Sequence, residues 1–280
     1  MIRFGICNEL FEGWDFAETC AAVKRIGYDG IEIAPFTLGP NIRAIDPARR
    51  AELRRTIVDA GLEAIGTHWL LAQTEGYYLT SPDAPTRART ADYLVALGEL
   101  TRDLGGSLMV LGSPKQRDLL PGVTLDSATG YAAEILASVG PRLDPLGVTL
   151  CLEPLAPSET NFLNSCEAAE ALIARVGHPR VVLQMDVKAQ AGEVGTTIPD
   201  LIRLHAARAG HFHAQDPNRR GPGMGELDFA PILQALVDSG YEGWVSVEAF
   251  DFTPGAIPTA ETSLETLLEA YDAAAANHGY

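Results

Sequence analysis

Eight short, mostly apolar runs alternate with longer segments of helical period along the whole chain, and this alternation restricts the fold more than any other feature. The runs are Arg3 to Cys7, Gly30 to Ile33, Glu63 to Thr67, Ser107 to Leu111, Val148 to Glu153, Val181 to Asp186, Gly210 to His213 and Trp244 to Glu248. Between and after them fall helical segments near Phe16 to Ile26, Pro47 to Ala60, Arg87 to Leu104, Ser127 to Leu146, Ser165 to Val176, Ile198 to Ala207, Phe229 to Ser239 and Thr262 to Ala275. Glycines at 27, 61, 105, 147, 177 and 240 follow or close helical segments, and Asp46 and Asp228 stand where N-caps belong.

Repeated strand–helix units give a parallel sheet covered by helices. Eight units in 280 residues match a closed barrel, which typically takes about 250 residues. A doubly wound open sheet produces similar alternation, but no GxGxxG follows the first strand. The expectation is therefore an α/β chain, a (β/α)₈ TIM barrel forming a single domain over residues 1–280.

A hydrophobic content of 46% is enough for a sizeable core. The formal charge of −16 argues against a nucleic-acid partner, because such proteins neutralise phosphates with clustered Lys and Arg. No apolar stretch approaches 18 residues and the opening MIRFGICNELFEG has no export signal, which predicts a cytoplasmic protein without a membrane partner. The scattered Cys7, Cys20, Cys151 and Cys166 fit buried free thiols in a reducing compartment. Homo-oligomerisation is left open.

Four residues of metal-ligand type end four successive predicted strands: Glu153, Asp186, His213 and Glu248. They recur about once per βα unit, so a barrel brings them together at its C-terminal mouth, where such folds carry their active sites. Strand alternation agrees. Counting back by twos from each ligand gives mostly polar or small residues such as Gln184, His211 and Ser246, whereas the opposite parity gives Leu150, Leu152, Leu183, Met185, Val245 and Val247.

Taken singly, each ligand has an ordinary structural reading as a cap or a core residue. Together, three carboxylates at one mouth would repel one another unless a cation neutralised them. Oxygen donors with one imidazole suit one divalent ion such as Mn²⁺, the first expectation, or Mg²⁺ or Co²⁺, better than a thiolate-type zinc site.

The run GHFHAQDPNRRGPGMGELDF, the later SGYEGWVSVEAFDF and the strand ends CLEP and LQMD together resemble the xylose isomerase-like barrel superfamily, in its ketose 3-epimerase and sugar-phosphate isomerase/epimerase branch. The resemblance implies that Glu153 and Glu248 are both metal ligands and catalytic acid/base groups. It also implies substrate contacts from Glu159 and Arg219. One position departs from the pattern: ketose 3-epimerases carry a substrate-binding His three residues after the metal Asp, where this chain has Ala189.

Lys188, His68, Trp69 and His211 complete the substrate-site candidates: Lys188 for an anionic or carbonyl group, His68 and Trp69 for a sugar face, His211 as a group behind the metal. The expected substrate is a small carbohydrate, free or phosphorylated, and the expected reaction is proton transfer next to a carbonyl through an enediolate, giving isomerisation or epimerisation. The alternatives are a dehydratase of a keto-polyol such as an inosose, a non-catalytic sugar-binding barrel, and a metal-dependent DNA-repair endonuclease of the same fold. The acidic balance and the total of six histidines weigh against the last.

Overall fold

The computed structural model describes residues 1–278. Eight parallel strands, β1 (Arg3–Cys7), β2 (Gly30–Ile33), β3 (Glu63–Thr67), β4 (Leu108–Leu111), β5 (Thr149–Leu152), β6 (Val181–Asp186), β7 (Ala209–Ala214) and β8 (Trp244–Val247), pair in sequence order, and β8 pairs back onto β1. The barrel is closed, so no strand presents an unpaired edge.

Around it run α1 (Phe16–Ile26), α2 (Pro47–Asp59), α3 (Ala84–Leu104), α4 (Leu125–Leu143), α5 (Cys166–Val176), α6 (Val187–Gln190), α7 (Ile198–His205), α8 (Ala230–Asp238) and α9 (Ala256–His278). Side-chain caps start many of them. Asp15 accepts from two backbone N–H groups of α1 and Asp46 from Arg49. At α8 the cap position is Phe229, which has no capping side chain, and Asp228 one residue earlier accepts from Ala230 N–H.

Three helices depart from the sequence boundaries by three residues or more, for local reasons. α3 starts at Ala84 because Asp83 caps it through Thr86. α4 stops at Leu143 and a 3₁₀ turn carries Asp144–Leu146, because Pro145 has no N–H for the helical ladder. α9 starts at Ala256 directly after Gly255, whose φ of +132° ends the preceding loop.

Leu150, Leu152, Leu183, Met185, Val245 and Val247 are all buried in the continuous apolar core. Inside the barrel, small residues make room for large ones. A Cβ on Gly5 would lie 2.2 Å from Ile65 Cδ1, and one on Gly30 would lie 2.8 Å from the Trp244 ring. Between β6 and β7 the register shifts, so that Leu183 faces Ala209 but Gln184 faces His211; the extra residue is Gly210.

Candidate metal centre and active site

β6 and β7 carry Asp186 and His213 within the strands, whereas Glu153 and Glu248 stand one residue beyond β5 and β8. The ladder nonetheless holds both glutamates, since Glu153 N–H donates to Leu111 O and Glu248 N–H to Ala214 O, each at 3.2 Å. One ligand atom from each of the four residues falls within 4.8 Å of the other three, and all four residues are buried. Strand order sets the arrangement: the two glutamates come from the ends of a four-strand arc and Asp186 and His213 lie between them.

His213 Nδ1 is 3.3 Å from Glu248 Oε2 and 3.7 Å from Glu153 Oε1. This buried nitrogen has no hydrogen-bond partner, although three carboxylates surround it. Such a donor set, oxygen-rich with one imidazole and crowded with negative charge, fits a divalent cation.

Asp186 and Glu248 are further oriented by neutral donors. Gln215 Nε2 donates to Asp186 Oδ2 at 2.9 Å and to Glu248 Oε2 at 3.2 Å, while Asp186 Oδ1 accepts from Ala189 N–H at 2.7 Å and thereby caps α6. The Ala189 departure thus lies on a short helix built over the ligand Asp186.

Electrostatics follow from the crowding. Burial, with Glu248 and Asp186 nearby, pushes the Glu153 carboxyl up to about 7 against the opposing contact with His213. Burial likewise raises Asp186, with Lys188 opposing. For Glu248 burial also acts upward, but His213, His68 and Lys188 outweigh it and hold the group below its ordinary range. His213 is raised well above an ordinary imidazole because Glu32 and Glu248 overcome its burial.

An open pocket meets the cluster and is lined by Trp69, Glu159, Lys188, Gln215, Arg219 and Phe250 among others. Lys188 Nζ lies 2.5 Å from Glu159 Oε2. The Arg219 guanidinium sits 5.7 Å from the Phe250 ring centroid and has no carboxylate partner among the described residues. Trp69 meets Phe36 and Phe250 edge-on, at centroid separations of 5.4 and 5.2 Å. Trp69, Ser113 and Arg219, all in the pocket wall, have φ of +51°, +46° and +74°, a conformation that non-glycine residues adopt at a cost and that recurs at functional sites.

Two candidates lie elsewhere. His68 and His211 are completely buried and take no part in the pocket lining. His68 Nε2 is 2.8 Å from Glu9 Oε2 and 3.9 Å from Glu248 Oε1, so it stands behind a ligand glutamate; His211 pairs with Glu32.

Sequence reading missed four residues around the site. Gln215 continues the inward parity two places beyond His213, and Glu32, an acid between two isoleucines in a strand, breaks an apolar run; both signals were present. Glu9 and Arg117 lie in loop turns with no periodicity to point at them. Arg117, only 1% exposed, donates to Glu153 O at 2.6 Å and Leu111 O at 2.7 Å, tying the ends of β5 and β4 together.

The family model described as "Xylose isomerase-like TIM barrel" matches residues 20–271. The chain belongs to that family. Among its curated relatives, D-psicose 3-epimerase of Agrobacterium fabrum is 29% identical over 244 residues, covering 84% of this chain and 79% of the relative. L-ribulose 3-epimerase of Mesorhizobium japonicum is 29% identical over 245 residues, covering 84% and 76%. A solved structure of an L-ribulose 3-epimerase superposes with a TM-score of 0.85 at 25% identity, covering 100% of this chain and 97% of that one. Among the described residues, no helix is long and apolar enough to cross a membrane.

Proposed function

We propose that this member of the xylose isomerase-like barrels is a divalent-metal-dependent isomerase or epimerase of a sugar or sugar phosphate, working by proton transfer next to a carbonyl. The observation that carries the reading is the buried Glu153–Asp186–His213–Glu248 cluster opening directly onto a pocket that offers Lys188 and an unpaired Arg219. The two curated relatives above, named as 3-epimerases of ketoses, support the reaction class.

Glu153, Asp186, His213 and Glu248 would hold the cation, with Mn²⁺ favoured over Mg²⁺ or Co²⁺. When bound, it would offset the carboxylate charge and act as a Lewis acid toward a carbonyl oxygen. Gln215 keeps Asp186 and Glu248 oriented. Glu153 and Glu248 approach from the two ends of the four-strand arc, so one can take the proton from the carbon beside the carbonyl while the other returns a proton, to the opposite face of the same carbon for epimerisation or to the neighbouring carbon for isomerisation. Without a cation their environments push the two carboxyls in opposite directions, Glu153 upward by burial and Glu248, against its burial, downward by His213.

Glu159 and Lys188, held to each other, and Arg219 contact the hydroxyl, carbonyl or phosphate oxygens in this reading, and Trp69 with Phe250 covers an apolar sugar face. Lys188 lines the pocket beside Ala189, which occupies the position of the ketose 3-epimerase histidine, so the choice of substrate is expected to differ from theirs.

The test is a panel of ketoses, aldoses, their phosphates and inososes incubated with Mn²⁺-loaded protein in D₂O and followed by NMR. Deuterium entering at a carbon beside a carbonyl, with a new epimer or isomer, is the expected result. Loss of a β-hydroxyl would make the enzyme a dehydratase, and sugar binding with no exchange at any carbon would remove the catalytic reading.

A further inference from the structure

The cluster is backed by a carboxylate that belongs to none of its four ligands. Glu32, completely buried on β2, has Oε2 2.7 Å from His211 Nε2, and its two oxygens lie 3.2 and 3.3 Å from His213 Nε2. β2 and β7 are not neighbours in the sheet, so these contacts cross the barrel interior instead of following the ladder. Among the described residues the groups of basic type paired with Glu32 are imidazoles: His211, His213 and, at 3.9 Å, His68.

An ionised carboxylate only accepts hydrogen bonds, so each imidazole nitrogen bonded to it carries a proton. A neutral imidazole has one N–H. If that proton is on His213 Nε2, facing Glu32, the Nδ1 lone pair is free, and Nδ1 is the nitrogen that points toward Glu248 and Glu153 without a hydrogen-bond partner.

We propose that Glu32 is a positioning residue that fixes His213 in its Nε2–H tautomer and so selects Nδ1 as the nitrogen presented to the divalent cation. The inference rests on reading the cluster as the cation site. A partner of this kind both orients a ligating imidazole and raises its basicity, and its loss typically weakens metal affinity about 10- to 100-fold. His211 shares the same carboxylate through its own Nε2, which leaves Glu32 two donors to accept and no free direction in which to rotate.

Glu32→Gln is the informative variant, because it keeps the size but puts an amide N–H₂ where an acceptor stood. One histidine then meets a donor, and a proton driven onto His213 Nδ1 competes with the cation. Mn²⁺ titration, followed by the resonance of the free ion, is expected to show a Kd raised about 10- to 100-fold in Glu32→Gln with an unchanged far-UV dichroism spectrum. Asp186→Ala, which removes a ligand, serves as the reference for the cluster itself.

In wild-type protein labelled with ¹⁵N-histidine and loaded with Zn²⁺, long-range ¹H–¹⁵N spectra are expected to show His213 protonated at Nε2 and coordinated through Nδ1. Coordination through Nε2 overturns the proposal. So does a Glu32→Gln variant that binds Mn²⁺ within about threefold of wild type while Asp186→Ala loses it, an outcome that leaves the cluster intact as a cation site. If neither variant changes Mn²⁺ binding, the cation site and the positioning role fall together. Should Glu32→Gln fail to fold, the wild-type spectra decide alone.

Discussion

Gly112 and Glu153 share one space: a Cβ built on Gly112 would stand 2.1 Å from Glu153 Oε2. The residue directly after β4 is thus small enough for the carboxylate leaving β5 to turn into the cluster. Gly112→Ala should leave the barrel folded, since the obstructed atom is the end of a side chain, with an overpacking cost of about 1–3 kcal/mol. It should nevertheless displace the carboxylate and lower both Mn²⁺ affinity and turnover. Wild-type affinity in a folded Gly112→Ala variant would show that Glu153 is not held where its role requires.

Glu153→Gln and Glu248→Gln separate coordination from proton transfer, because an amide oxygen still binds a cation but is no carboxylate base. Each should lose roughly 10²- to 10⁴-fold in turnover even when loaded with Mn²⁺. Solvent-deuterium exchange should survive in one stereochemical direction in at least one of the two variants while net conversion stops. Near wild-type turnover in both metal-loaded variants would reduce the glutamates to ligands.

Cation binding should depend on pH with a definite sign. Without a metal, burial raises Glu153 to about 7, so below that pH the carboxyl carries a proton that a cation must displace. His213, raised well above its ordinary value, adds a second proton to be released. Affinity for Mn²⁺ should therefore rise with pH, weakening on the acid side of about 7, and calorimetry in buffers of different ionisation enthalpy should detect proton release. Binding that is flat from pH 6 to 8 would contradict this.

Arg117 is expected to govern stability before chemistry. Its guanidinium donates to the carbonyls of Leu111 and Glu153, so Arg117→Leu strands the buried Glu153 carbonyl and takes a charged donor from Leu111 O, which keeps the Glu153 N–H. A loss on the order of 3 kcal/mol should follow, seen as a lower midpoint in urea unfolding. Lys should restore little of it, because one ammonium lacks the fork that spans both carbonyls. An unfolding midpoint equal to wild type in Arg117→Leu would rule out the clamp.

The eight-fold alternation and the strand parity were sufficient to indicate the barrel and to bring Glu153, Asp186, His213 and Glu248 to one mouth, because period and spacing are local properties that closure of the sheet turns into proximity. Trp69, Glu159, Lys188 and Arg219 do lie in the pocket wall beside that cluster. His68 could be placed only near the end of β3; its burial against Glu9 depends on a 3₁₀ turn after β1, far away in sequence. The contact of Glu32 with His211 and His213 crosses 179 and 181 residues and joins strands that are not neighbours, and the Arg117 clamp starts from a loop without periodicity. These contacts are set by how side chains fill a closed barrel, and volume and direction in that interior are properties of all eight strands at once.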